Sequence, residues 1–346
     1  MDDEFGGCDK KCTFPFDVLS SKNILAVSKC PKLCSVLLIS DETDLTVQQL
    51  KNGLKNLKTL IGGIYVFSTS FKDLSFLDGL KTLKSKYNGI DISMNENVVE
   101  LGFKNLTSFT GGSYNVYGND KLLRLGFPKL KNFTCATKDC YTNVMFSNFM
   151  EPKFCVTTQE MKIFMVNKKT TISSYGKVCD LPKNSSNKKM CSVPTVGCEE
   201  LIGNLTIGAK FDVKKVKSLK ILYGSLIMKG TNFTNFNFLP NLTHIAQLDS
   251  MLPAIDVQNN KQLKTAKFPK LKRIVCGDYN CAVFKNNNAA LLKDLDSCWA
   301  IRSAITQDRF FISSSSPLFN NKMCEDLEQK KTTKKTGTTK KSAKKA

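Results

Sequence analysis

The sequence holds one histidine in 346 residues, His244. That excludes most histidine-based metal centres and acid–base chemistry, and a thiol nucleophile would have no other imidazole to activate it. No G-x-S-x-G, P-loop or strand-linked G-x-G-x-x-G is present, so nucleophile-elbow and nucleotide-cradling sites are not expected. Aspartate and glutamate are too scattered to suggest a paired-carboxylate site. No run approaches the roughly 18 consecutive apolar residues that a membrane helix needs, so no integral membrane segment is expected. The opening MDDEFGG is acidic and then polar, unlike a secretory signal. No catalytic residue, resident metal or cofactor is expected.

Hydrophobic residues make up 41% of the chain, ample for packed cores, and the length suggests two or three domains. The net charge is +21, and eight of those charges are lysines in the last 17 residues, leaving +13 on the body. Lys330–Ala346 has no acid and no bulky apolar residue, so it cannot bury enough surface to offset its ordering entropy and is expected to be disordered. Its Lys/Thr/Ala composition resembles a linker-histone tail. It reads either as an arm for a polyanion or as a solubilising tail, and without arginine or aromatics it is not a sequence reader.

The body repeats on two scales. Asn95–Phe109 matches Asn119–Phe133 at an offset of 24, with apolar positions in register: Val98/Leu122, Leu101/Leu125, Phe103/Phe127, Leu106/Leu130 and Phe109/Phe133. A period in the twenties is that of a solenoid, whose turns bury their apolar sides only by stacking. The longer repeat aligns Phe71–Leu83 with Phe233–Ile245 at an offset of 162, and Phe127-Pro-Lys-Leu-Lys131 with Phe268-Pro-Lys-Leu-Lys272 at 141. The shortfall of 21 residues is about one turn, so the second copy is expected to have lost one coil. Each turn reads as one short strand, then a corner with Asn (Asn95, Asn119, Asn260), then leucine-rich spacing. Alternation points Ile64/Val66, Ile90/Ile92, Leu226/Met228 and Ile255/Val257 inward. The corner asparagines read as backbone-satisfying or left-handed residues rather than as a calcium site. The expected fold is mainly β, two tandem right-handed parallel solenoids with short capping helices and a disordered basic tail.

The order "apolar-x-Gly-x-apolar-x-apolar, then Phe-Leu-x-x-Leu-x-x-apolar" runs from Cys34 through Leu60–Val66 to Phe76, Leu77 and Leu83. It recurs from Cys198 through Leu222–Ile227 to Phe238, Leu239 and Ile245. This resembles the receptor L domain, the cysteine-capped solenoid present twice in insulin- and epidermal-growth-factor-receptor ectodomains, here without a cysteine-rich module between the copies or a kinase. The divisions that follow are 1–29 as an amino-terminal cap, 30–180 and 191–325 as the two L domains, and 326–346 as the tail.

Fourteen cysteines fall into even groups, as a disulfide framework requires. Cys155 with Cys179 and Cys298 with Cys324 read as equivalent clamps closing each solenoid. Cys135 with Cys140, and Cys276 with Cys281, read as local bridges at the same corner of each copy. Cys191 with Cys198 reads as a cap staple. Cys8, Cys12, Cys30 and Cys34 staple the amino-terminal cap in a pairing the spacing leaves open, with four-thiolate zinc as the rival. Disulfides imply an oxidising compartment, so the true amino terminus is expected upstream of Met1; the other reading is a cytosolic chain with free thiols. Six sequons, at Asn105, Asn132, Asn184, Asn204, Asn232 and Asn241, permit N-glycosylation.

With catalysis set aside, function has to rest on surfaces. The outward positions of the first copy's strands are Tyr65, Phe67, Asp91, Ser93, Asn115 and Tyr117, three of them aromatic, and they form the candidate ligand-binding patch. In the resembling receptors this face of the first domain meets a peptide hormone. The resemblance therefore implies an extracellular receptor-like binder of a secreted peptide or receptor ectodomain, as decoy or co-receptor. The alternative is a cytoplasmic or nuclear scaffold whose lysine tail engages nucleic acid or acidic partners.

Overall fold

In a computed structural model, residues 7–15, 17–86, 89–137, 140–148, 151–167, 169–180, 189–249, 251–277, 281–305 and 317–329 are described. Asn184 and Lys330–Ala346 lie outside them. The chain forms two compact units, Met1–Cys179 and Asp180–Ala346.

The first unit is a parallel β-solenoid. Its seven-stranded sheet runs in the order Asp17–Val18, Leu37–Ile39, Ile64–Phe67, Gly89–Ser93, Ser113–Tyr117, Thr142–Ser147, Thr170–Tyr175. A five-stranded sheet stacks Lys32–Cys34, Thr59–Ile61, Thr82–Lys84, Ser108–Thr110 and Asn132–Thr134. Adjoining strands within each sheet pair in parallel, one coil upon the next. The five coils between the edge strands Asp17–Val18 and Thr170–Tyr175 carry two strands each, not the one expected from sequence. The triplets such as Thr59-Leu-Ile and Thr82-Leu-Lys point a single residue inward, too short an alternation to register as a strand. Between the two strands of one coil, Gly62 sits at φ 144°, and a Cβ there would lie 2.0 Å from the Ser35 carbonyl oxygen of the coil before. Glycine lets the chain turn while two backbones touch.

Inward side chains form columns one residue wide. Leu33, Leu60, Leu83, Phe109 and Phe133 are in register across the five-stranded sheet, as are Ile39, Val66, Ile92, Val116 and Phe146 across the larger one. All ten are buried, and Phe109 stacks on Phe133 with centroids 4.8 Å apart. The expected inward pairs Ile64/Val66 and Ile90/Ile92 lie in these columns or the adjacent one, fully buried. The helix Thr158–Val166 packs at the end of the solenoid, started by a capping box between Thr157 and Glu160.

The second unit repeats the plan with two five-stranded parallel sheets, one containing Ile221–Tyr223 and His244–Gln247 and the other Leu226–Lys229 and Ile255–Gln258. Strands Thr59–Ile61, Ile64–Phe67, Thr82–Lys84 and Gly89–Ser93 have counterparts at offsets of 162 to 165. The coil carrying Ser108–Thr110 and Ser113–Tyr117 has none, which is the coil lost from the second copy.

The corner asparagines are structural. Asn95 Nδ2 donates to the Val66 and Ser93 carbonyls, both at 2.9 Å, and its Oδ1 accepts from Thr69 N and Oγ1. Asn119 Oδ1 accepts from Asn95 N at 3.1 Å, continuing the ladder. Thr231, Asn260 and Asn287 repeat the arrangement in the second unit. The left-handed residue is the one before each asparagine (Met94, Gly118, Asn259, Asn286). With both ends of the amide engaged by protein, these side chains have no part in a calcium site.

All fourteen cysteines are paired. In the amino-terminal cap Cys8 bonds Cys34 and Cys12 bonds Cys30. The zinc reading of these four is thereby overturned, since bonded sulfurs offer no thiolate. The spacing could not choose, because four cysteines with x3 gaps satisfy either chemistry. Cys155 bonds Cys179 and Cys298 bonds Cys324, while Cys191 bonds Cys198.

The two corner bridges form as expected, Cys135 with Cys140 and Cys276 with Cys281. Each spans the corner between the two strands of one coil. Cys135 follows Asn132–Thr134 and Cys140 precedes Thr142–Ser147, while Cys276 ends Arg273–Cys276 and Cys281 precedes Ala282–Lys285. The two copies differ in depth, which the equal spacing did not show. Cys140 is half-buried, whereas Cys281 is 1% exposed and belongs to the second unit's core.

A candidate ligand-binding face on the first unit

Residues two apart on a strand share a face, so the in-register strands of the seven-stranded sheet build outward columns. Leu38, Tyr65, Asp91, Asn115, Met145 and Ser173 form one. Phe67, Ser93, Tyr117, Ser147 and Tyr175 form the next. The six nominated residues therefore lie side by side on three adjoining strands. Phe67 is 37% exposed, while Tyr65, Asp91, Asn115 and Tyr117 are half-buried.

Ser93 departs from expectation. It points outward in register yet is only 4% exposed. Phe67 and Tyr117 stand on either side of it, and a two-atom side chain between large rings is shaded by them. Sequence alternation gives direction, not height. Ser93 acts through its neighbour, its Oγ donating to Asp91 Oδ1 at 3.0 Å.

Asn115 Nδ2 approaches Asp91 Oδ2 at 3.4 Å, and its own Oδ1 is buried with no donor. Burial, and then the negative charge of Asp91, push the Tyr65 phenol above its ordinary pKa. Asp91 thus sits among aromatic rings on the sheet, supported by one hydroxyl and one amide.

Met145 and Tyr175 extend the face and were missed. Met145 alternates with buried Val144 and Phe146, but the 24-residue spacing breaks here: Tyr117, Ser147 and Tyr175 lie 30 and 28 residues apart. Only alternation within TNVMFS and TTISSY could have found them.

In the second unit the corresponding outward positions are Ile227, Asp256 and Val283, with Lys229, Gln258 and Lys285 alongside. Asp256 is ion-paired with Lys229 at 3.0 Å and accepts from Gln258 at 2.6 Å. Asp256 is thus neutralised, and Lys285 leaves this face net basic.

His244 opens a strand, with its Nδ1 2.8 Å from Thr243 Oγ1. Asn132, Asn204 and Asn232 are exposed. Asn105 and Asn241 are half-buried, their Nδ2 atoms donating at 2.9 Å to the Asp78 and Lys217 carbonyls. Among the described residues no cluster of three or more His, Cys, Asp or Glu could hold a metal, and no helix is long and apolar enough to cross a membrane.

The receptor L domain family matches this chain twice, over residues 29–122 and 197–302. No curated protein sequence and no solved structure matches it.

Proposed function

This chain belongs to the receptor L domain family, and from that premise we propose that it is an extracellular, non-catalytic receptor-like protein. Its partner is a secreted peptide or a receptor ectodomain, held on the outward sheet face of the first unit, and its role is that of a decoy or co-receptor. Receptor L domains are binding modules that engage ligands or receptors. The observation carrying the assignment is the group Tyr65, Phe67, Asp91, Asn115 and Tyr117, raised together on a rigid parallel sheet. Aromatic side chains on a pre-ordered surface lose little entropy on binding and supply most of the contact energy in protein interfaces.

Seven disulfides favour an oxidising, extracellular setting over the cytoplasmic or nuclear scaffold. The sequons then become usable. Asn132, Asn204 and Asn232 present accessible amides and are the preferred glycan sites, ahead of Asn105 and Asn241. The lysine tail supplies a secondary contact to polyanions.

The test screens the full-length protein against secreted peptides and receptor ectodomains from its own organism, beside a Tyr65→Ala/Tyr117→Ala variant. The assignment expects at least one partner whose binding the double variant loses while its melting temperature stays unchanged. Partners indifferent to the variant would refute the face. Salt-sensitive DNA binding abolished by deleting Lys330–Ala346, together with free thiols, would transfer the assignment to the scaffold.

A further inference from the structure

Hydrogen-bonding groups on the outward face of the first unit do not balance. Asp91 brings two carboxylate oxygens and Asn115 a carbonyl oxygen, whereas the donors meeting them are the Ser93 hydroxyl and one Asn115 N–H at 3.4 Å. Asn115 Oδ1 has no donor at all. Acceptors are therefore in surplus. Charge is unbalanced as well. In a chain carrying 51 lysines and arginines against 30 acids, Asp91 has no cationic partner among the described residues.

The duplicated domain provides an internal comparison. Asp256 holds the place of Asp91 one domain later, at an offset of 165, and there Lys229 closes the carboxylate at 3.0 Å while Gln258 fills the other oxygen. The position of Lys229 is taken in the first unit by Phe67, one strand before the acid in both cases. The first unit thus replaces the neutralising cation with an aromatic ring and leaves the acid open. Tyr65 lies directly beside Asp91 in register, and Tyr117 stands diagonal to it, next to Ser93. A carboxylate with aromatic faces around it is the surrounding that a cationic side chain satisfies twice over, through a charge-assisted hydrogen bond and through the rings.

We propose that this face recognises a basic side chain of its peptide partner, an arginine or lysine whose head meets Asp91 and whose stem lies against Tyr65 and Tyr117. Arginine fits better, because its planar fork can meet both carboxylate oxygens of Asp91 at once while its face lies against the rings. The proposal rests on the reading of this face as the docking surface and names what it selects. The second unit is excluded from the same role because Asp256 is already occupied.

The experiment separates the two readings. A phage-displayed library of random dodecapeptides is selected on the full-length protein and depleted on the Tyr65→Ala/Tyr117→Ala variant, so that survivors depend on the face. Survivors are then measured on Asp91→Asn and Asp256→Asn proteins whose melting temperatures match the parent. The proposal expects survivors to share an arginine or lysine flanked by apolar residues. They should lose about tenfold or more in affinity on Asp91→Asn, the size of one charge-assisted bond, and nothing on Asp256→Asn. Survivors that lack a basic residue, or bind Asp91→Asn unchanged, would overturn the cation reading and leave the docking surface standing. If no peptide survives depletion, the docking surface fails and this inference fails with it.

Discussion

Removing the Asn119 side chain tests how the coils are held at their corner. Asn119 is 1% exposed. Its Oδ1 accepts from Asn95 N at 3.1 Å, and its Nδ2 donates to the Ile92 and Tyr117 carbonyls at 2.8 and 3.1 Å. Asn119→Ala therefore strands one buried N–H and takes a donor from the buried Ile92 carbonyl and from the part-buried Tyr117 carbonyl, which keeps Met94 N at 3.1 Å. At about 1–3 kcal/mol for each unsatisfied buried group, with the carbonyls at the lower end because each has a second lone pair, the loss should be about 3–5 kcal/mol. Asn97→Ala is the control. Its side chain accepts from Lys121 Nζ at 2.7 Å at the surface, and exposed contacts of this kind are worth about 0.5 kcal/mol or less. Urea denaturation followed by circular dichroism gives the totals, and hydrogen exchange by mass spectrometry locates them. Protection should fall in peptides covering 89–99 and 113–122 and persist over 255–263. A total loss below about 1 kcal/mol, or equal effects of the two substitutions, would refute the ladder as a source of stability.

Other outcomes follow from the same structure. Tyr114 is fully buried with an unsatisfied hydroxyl, so Tyr114→Phe should leave stability unchanged or raise it by about 1 kcal/mol in urea denaturation; a larger loss would show that the hydroxyl is bonded. Burial raises the phenol pKa of Tyr114 well above 10, with Glu160 adding to it. The unfolded chain then releases that proton first, so stability is full below pH 10 and falls as pH climbs above it; Tyr114→Phe should flatten part of this alkaline decline in a pH series of melting curves. Gly62→Ala should unfold or severely destabilise the first unit, because its Cβ meets the Ser35 backbone. Gly203→Ala, at the matching corner of the second unit's first coil, meets nothing within 4 Å and should cost only the positive-φ strain, about 1–2 kcal/mol by calorimetry. On expression through a secretory route, glycopeptide mapping should find Asn132, Asn204 and Asn232 more fully occupied than Asn105 and Asn241; the reverse order would contradict the exposure argument.

Much of the fold was legible because a stacked solenoid writes each column into the sequence at nearly constant spacing. Phe109 and Phe133 are 24 residues apart and their rings touch. The lost coil was legible as a change of offset between two landmarks. What escaped were features set by neighbours rather than by period. The triplet strands of the first unit, such as Thr59–Ile61 and Thr82–Lys84, point one residue inward and leave no alternation. Asp17–Val18, which extends the large sheet at its amino-terminal edge, is too short to be told from loop. Asn148, Asn287 and Asn320 extend the corner ladders but fall where coil lengths change. In the candidate face, direction was legible for all six residues, and height was not: Ser93 is hidden by rings from adjoining strands, far away in sequence. The contrast between an open Asp91 and a neutralised Asp256 also lay outside the sequence reading, since it depends on which side chain stands one strand away.

The account stands on a duplicated coil module, each copy clamped by its own oxidised cysteines. Peptide mapping of the protein from its native source under non-reducing conditions, with free thiols alkylated first, tests this most directly. It should recover seven cross-links, each joining two cysteines within 1–179 or within 180–346, and no alkylated cysteine. Alkylated thiols throughout, or cross-links joining one half to the other, would contradict it.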